Sequence, residues 1–209
     1  MKHWQLAHGK VLEVGPRALL MGILNVTPDS FSDGGSAFEV RTALDKAQDL
    51  LAQGADIIDI GGESTRPNAE SVSAKTEQAR ILPVIRVLKE QTDAIISVDT
   101  YRAETAQLAV EAGAHIINDV WGLQREKDIA SIAQETGAGL VIMHTGRERE
   151  KLDDPIADQF FFLEKSLQIA AEAGIASAQI MLDPGFGFAK DQSEDIELIA
   201  RFPSLMAFD

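Results

Sequence analysis

Apolar positions along the chain come in two kinds of pattern, short unbroken runs and stripes at helical spacing, and the two alternate. Runs at 19–24, 55–60, 94–98, 114–118, 138–143 and 179–182 are short, apolar and bounded by polar or glycine residues, so each reads as a buried strand. Between them Val40, Ala43, Leu44, Ala47, Leu50 and Leu51 recur at helical spacing and stop at Gly54. The unit returns with Ala106, Leu108, Ala109 and Ala112 before Gly113, with Ile129, Ile132 and Ala133 before Gly137, and with Phe160, Leu163, Leu167 and Ala170 before Gly174. A glycine just past the last periodic residue is a helix-termination signal. A longer helix is expected over about 73–90, with Pro83 inside it as a kink. Ahead of the first run, alternation from His3 to Val14 around Gly9 predicts a small hairpin within residues 1–18.

Apolar strands alternating with amphipathic helices predict a parallel sheet buried on both faces in a single α/β domain over residues 1–209. Six strands fit an open doubly wound sheet, but no Gly-x-Gly-x-x-Gly opens a helix after the first strand, which weakens a dinucleotide-binding reading. They also fit the first six βα units of a TIM (β/α)8 barrel, which usually takes about 250 residues.

The residues just past the runs are all polar: Asn25, then Glu63-Ser64-Thr65-Arg66 beyond Gly61-Gly62, then Asp99, Asn118, His144 and Asp183. In either sheet architecture the carboxyl ends of the strands face the functional cleft, so these six positions are expected to converge. Singly, each has a plainer role: Asp99 with Thr100 as a helix cap, Asn118 or Asp183 as a turn former. Together Asp99, Asn118 and Asp183 offer acceptors and a donor suited to the edge of a flat heterocycle, and Arg66 offers a phosphate contact. There is no Gly-x-Ser-x-Gly elbow and no His/Asp/Glu cluster at metal-ligand spacing; the Asn25 carbonyl could at most help hold a Mg²⁺ bound mainly by substrate phosphates. Phe31, a large apolar residue within the turn-rich stretch after Asn25, reads as a lid or ligand contact, or else as a core residue.

Composition narrows the partners. The chain is 45% hydrophobic and 25% charged, an ordinary profile for a soluble domain, and carries a net charge of −14, which argues against a nucleic-acid or anionic-membrane surface. An anionic substrate must then be met locally, by a basic side chain, a metal or backbone N–H groups. Cysteine is absent, and neither a signal peptide nor a membrane-spanning run is visible, so a cytoplasmic location is expected.

The stretches 22–35, 59–67, 97–100, 117–119, Met143-His144 and 182–188, read in order, resemble dihydropteroate synthase. The resemblance spans about 20–188, and its first two motifs are long and specific. It implies an eight-stranded TIM barrel and a folate-pathway transferase joining 6-hydroxymethyl-7,8-dihydropterin diphosphate to 4-aminobenzoate, with Mg²⁺ as cofactor, sulfonamides as competitors and a homodimer at full length. By the same resemblance Asp99, Asn118 and Asp183 grip the pterin, Asn25 contacts Mg²⁺ and pyrophosphate, and Thr65, Arg66 and Pro67 border the pyrophosphate and aminobenzoate positions. Phe31 and Phe188 enclose the aminobenzoate ring, Met143 belongs to the substrate pocket, and Asp99 and Arg66 are the catalytic groups. The implied mechanism is dissociative, with pyrophosphate leaving before the amine attacks. Two alternatives remain at this level: a pterin-binding chain without turnover, and a methyltetrahydrofolate-corrinoid methyltransferase on the same barrel, which has less use for the 27–31 stretch. The family's late Ser-Arg-Lys and Arg-x-His motifs lie beyond the resemblance, so two further βα units are expected to be needed for closure and full activity.

Overall fold

The protein is described by a computed structural model over residues 2–27, 37–64 and 71–208. Six parallel strands follow one another in sheet order: β3 (Met21–Asn25), β4 (Ile57–Gly61), β5 (Ile95–Asp99), β6 (Ile116–Asp119), β7 (Gly139–Met143) and β8 (Ile180–Asp183). Helices α1 (Ala37–Ala52), α2 (Ala74–Gln91), α3 (Ala103–Ala112), α4 (Asp128–Thr136) and α5 (Pro155–Glu172) connect them, and α6 (Gln192–Ala200) follows the last strand. Ahead of the sheet, β1 (Lys2–Gln5) and β2 (Val11–Val14) pair antiparallel around a 3₁₀ turn at Ala7–Gly9.

Alternation along the strands divides the apolar residues into two cores. Leu24, Ile58, Ile60, Ile96, Val98, Ile117, Leu140 and Ile142 face outward and pack with the inner stripes of the helices, such as Ala43, Ala47, Ile81, Ile85, Ala106 and Ala133. Ile57, Ile95, Ile116 and Val141 face inward and meet Trp4 and Leu6. The β1–β2 hairpin thus plugs the amino-terminal end of the curved sheet; Trp4 donates its indole N–H to the Gln179 carbonyl at 2.8 Å, and Ala7 N–H bonds the His115 carbonyl. With that end filled, the carboxyl end is left for a ligand.

The strands begin one to two residues later than the apolar runs and extend to their polar ends, so that Asn25, Asp99 and Asp183 are the last residues of their strands. The helix over 74–91 starts after Ser73, whose hydroxyl accepts from Thr76 N–H, and Pro83 lies inside it. Gly113 closes α3 at φ 126°, a conformation open to glycine, and a Cβ there would meet Lys89 Cδ. Helix α6 was not foreshadowed by the apolar pattern; it starts on a reciprocal capping box between Asp191 and Glu194.

Candidate active site

Parallel pairing places Asn25, Gly61, Asp99 and Asn118 in one register row across four strands, and Met143 beside Asp183 across the next pair. All face the inner side of the sheet at its carboxyl end. Gly61 leaves room in the middle of this row: a Cβ at that position would stand 3.3 Å from Asn25 Oδ1 and 3.5 Å from Asp99 Oδ2, so both oxygens border the space over its bare Cα. Asp99 does not cap α3; Arg102 occupies the cap position without a side-chain cap bond, and Thr100 Oγ1 accepts from Arg102 N–H. Asp183 Oδ1 does accept from Gly185 N–H at 2.7 Å, so the turn-forming role is realised and its second oxygen remains for other partners.

Beneath the row lies a carboxylate that strand-end inspection passes over. Asp59, in the middle of β4 and 5% exposed, accepts from Asn118 Nδ2 at 3.0 Å. The Ser97 hydroxyl sits close enough to favour the Asp59 anion, yet Ser97 Oγ, Asp59 Oδ1 and Asn118 Oδ1 are all buried without a hydrogen bond of good geometry. Burial, with Asp183 nearby, pushes the Asp59 carboxyl up from its ordinary range. Burial and the negative neighbours Asp59, Glu77, Asp119 and Glu63 hold Asp99 well above its ordinary value. The cleft floor is therefore an acidic, poorly hydrated surface suited to N–H donors and to positive charge.

On the β8 side, the loop after the strand is tied to the loop after β7. His144 N–H bonds the Asp183 carbonyl, Gly146 N–H the Phe188 carbonyl, and Lys151 reaches the Ala189 carbonyl and Glu194. This fixes Phe188, whose ring lies 4.7 Å from the Arg147 guanidinium carbon; Arg147 also approaches Trp121 at 5.9 Å and feels the Asp99 charge. Lys190, which burial pushes down to about 8, donates to the Gly185 carbonyl at 2.7 Å from beneath the same turn.

His144 and Glu63 do not join the cleft. His144 follows inward-facing Met143 and so points outward, where Nε2 meets Asp158 Oδ2 at 2.9 Å, with Arg149 completing the cluster. Glu63 turns to Arg102 (2.8 Å), which also holds Glu77, the Val72 carbonyl and the Tyr101 hydroxyl. Phe31, Thr65, Arg66 and Pro67 lie outside the described residues. Among the described residues no group of three or more His, Cys, Asp or Glu is arranged to hold a metal ion, and no helix is long and apolar enough to cross a membrane.

The family profile described as pterin binding enzyme matches residues 21–208. A dihydropteroate synthase of Streptococcus pyogenes serotype M3 is 48% identical over 184 residues, covering 88% of this chain and 69% of that protein. The chain belongs to the dihydropteroate synthase family. Solved structures of the family agree: the Clostridium difficile enzyme crystallised with pteroic acid superposes with a TM-score of 0.90 at 42% identity, covering 94% of this chain and 75% of that one. The Xanthomonas albilineans enzyme with 4-aminobenzoic acid gives 0.89 at 40% identity, covering 98% and 74%. The six βα units are thus those of a TIM-barrel dihydropteroate synthase, an enzyme of folate biosynthesis in the transferase class.

Strand-end reading missed Asp59, Ser97, Arg102, Arg147 and Lys190. Only Asp59 carried a local signal, a charged residue inside the apolar run Ile57-Ile58-Asp59-Ile60.

Proposed function

We propose that the cleft binds the pterin ring of 6-hydroxymethyl-7,8-dihydropterin diphosphate and presents its methylene carbon to the amine of 4-aminobenzoate. The observation that carries this is the placement of Asp99, Asn118 and Asp183 on the inner face at the strand ends, with Asn118 Nδ2 held by Asp59. Carboxylate oxygens accept from the ring's N–H and NH₂ groups, and the Asn118 carbonyl adds another acceptor. Met143, 2% exposed on the same face, supplies an apolar wall, and Phe188 beneath Arg147 borders the site where the aromatic amine enters.

In the reaction the bond from the methylene carbon to the diphosphate oxygen breaks with its electron pair leaving on pyrophosphate. The positive charge left on the pterin develops over the acidic floor of Asp59, Asp99 and Asp183, where fixed carboxylates in a dry site stabilise it strongly. The amine then forms the new C–N bond and releases a proton. No protein nucleophile is required. Asn25 Oδ1 and Asp99 Oδ2, hard oxygens that both border the space over Gly61, are the groups that would help hold a Mg²⁺ bound mainly by substrate phosphates. When bound, such an ion supplies charge neutralisation for the leaving anion. Arg66, Thr65 and Pro67 are assigned to the pyrophosphate and aminobenzoate borders and Phe31 to the ring's enclosure, on sequence grounds alone. Sulfonamides compete with 4-aminobenzoate in this reading, the enzyme works in the cytoplasm, and the full-length protein pairs as a homodimer.

Isothermal titration of pteroic acid into the wild type and Asp183→Ala tests the assignment. Loss of Asp183 leaves ring donors unpaired, and binding is expected to weaken by about 1–3 kcal/mol. Equal affinities would remove Asp183 from the site.

A further inference from the structure

Resting on the pterin reading above, we propose that Asp59 is a positioning residue that locks the Asn118 carboxamide with its oxygen turned to the ligand, so that this position selects a ring N–H donor.

A carboxamide has two orientations of nearly equal shape that offer opposite hydrogen-bonding faces. Asp59 removes the choice. Its Oδ2 stands 3.0 Å from Asn118 Nδ2, and a flipped amide would set two oxygens against each other. With Nδ2 committed below, Asn118 Oδ1 is the polar atom of the amide without a partner in the ligand-free protein, and it is buried. The contact survives protonation of Asp59, because a proton carried on Oδ1 leaves Oδ2 an acceptor.

The surroundings argue against a purely structural role. In its register row Asp59 lies between Ile23 and Ser97, and Ser97 pairs in turn with Ile116; one row below, the inner face is apolar at Ile57 and Ile95. Its Oδ1 is buried without a hydrogen bond of good geometry, a desolvation cost that an apolar side chain of similar volume would not carry. A group that costs stability and holds one face of a site residue is accounted for by the face it fixes.

Pteroic acid is titrated into the wild type, Asp59→Leu, Asp59→Asn, Asn118→Ala and the double variant Asp59→Leu/Asn118→Ala. Asp59→Leu is expected to bind at least tenfold more weakly, because its Asn118 amide can turn either way. Asp59→Asn keeps an acceptor for Nδ2 and is expected to recover most of the affinity. The double variant should bind no worse than Asn118→Ala, since Asp59 acts through that residue. In steady state, KM for the pterin substrate should rise in Asp59→Leu with KM for 4-aminobenzoate unchanged. Affinity of Asp59→Leu within twofold of wild type, or losses that add in the double variant, would overturn the proposal. So would an Asn118 side-chain amide exchanging at the solvent rate in the ligand-free wild type, a measurement that needs no variant to fold. A wild type that takes up no pteroic acid would instead overturn the pterin reading itself, and the role of Asp59 with it.

Discussion

Arg102 shows how much can rest on one side chain. Its guanidinium meets Glu77 at 2.9 Å, Glu63 at 2.8 Å, the Val72 carbonyl at 2.7 Å and the Tyr101 hydroxyl at 2.6 Å, and stacks over the Tyr101 ring. Glu77 is 1% exposed, so removing the cation strands a buried carboxylate. Arg102→Met is therefore expected to cost about 3–5 kcal/mol in urea unfolding, and Arg102→Met/Glu77→Leu to recover much of it. Equal stability of Arg102→Met and wild type would show that the cluster is dispensable. Arg102→Lys should recover less than the double variant, because an ammonium lacks the planar fork that serves several acceptors at once. None of this is legible in sequence: Glu77 and Glu63 lie 25 and 39 residues from Arg102, and only the fold brings them together. Asp59 differs, since a lone acid within an apolar strand signals its own cost. Asp99, Asn118 and Asp183 were legible because alternation and strand ends fix both their height and their face.

At the scale of elements, the turn after β8 depends on a residue with no side chain. Gly185 sits at φ +65°, and a Cβ there would lie 2.0 Å from the His144 carbonyl oxygen. Gly185→Ala is expected to destabilise by about 2–4 kcal/mol and to weaken pteroic acid binding, because the same turn sets Asp183 and Phe188. Unchanged melting and binding would contradict this account of the turn. His115 ties two strands in a different way: its Nδ1 accepts from Ile96 N–H at 3.0 Å, and burial, aided by His8, Lys10 and Lys89, pushes its pKa down to about 4. The unfolded chain takes that proton near 6.5, so the stability His115 contributes is intact above 6.5 and is lost as pH falls toward 4. Asp119, raised to about 6 chiefly by burial, works in the opposite sense, its contribution fading as pH rises through 6. The wild type alone therefore blends the two. The difference in unfolding free energy between wild type and His115→Gln isolates the histidine and should narrow by about 1–3 kcal/mol from pH 7 to pH 4. A constant difference would place the His115 pKa near its ordinary value. Helix ends closed by glycine were readable in advance; the outward turn of His144 follows only once β7 is known to end at Met143, since a shift of one residue exchanges the two faces.

For the molecule as a whole, parallel strands buried on both faces write themselves as apolar runs, which is why six βα units could be counted from the pattern; curvature, the hairpin plug and inner-face layering depend on contacts distant in sequence. Among the described residues β3 pairs only with β4, and β8 only with β7. Along β3, Ile23 is 67% and Met21 36% exposed, and Leu20 just before it is 54% exposed. An apolar edge strand is a template for pairing with another copy, opposed here by a net charge of −14 that repels like molecules over about 10 Å at 0.1 M salt. Light scattering of the 209-residue chain should thus rise with protein concentration and rise further as salt screens the repulsion. Ile23→Lys places a charge on the exposed edge strand and should suppress that association while leaving the melting temperature within a few degrees, since Ile23 gives up little buried area. If Ile23→Lys and wild type scatter alike at high salt, association proceeds through another surface, of which Ile196, Ile199 and Met206, all more than half exposed, form the next to test.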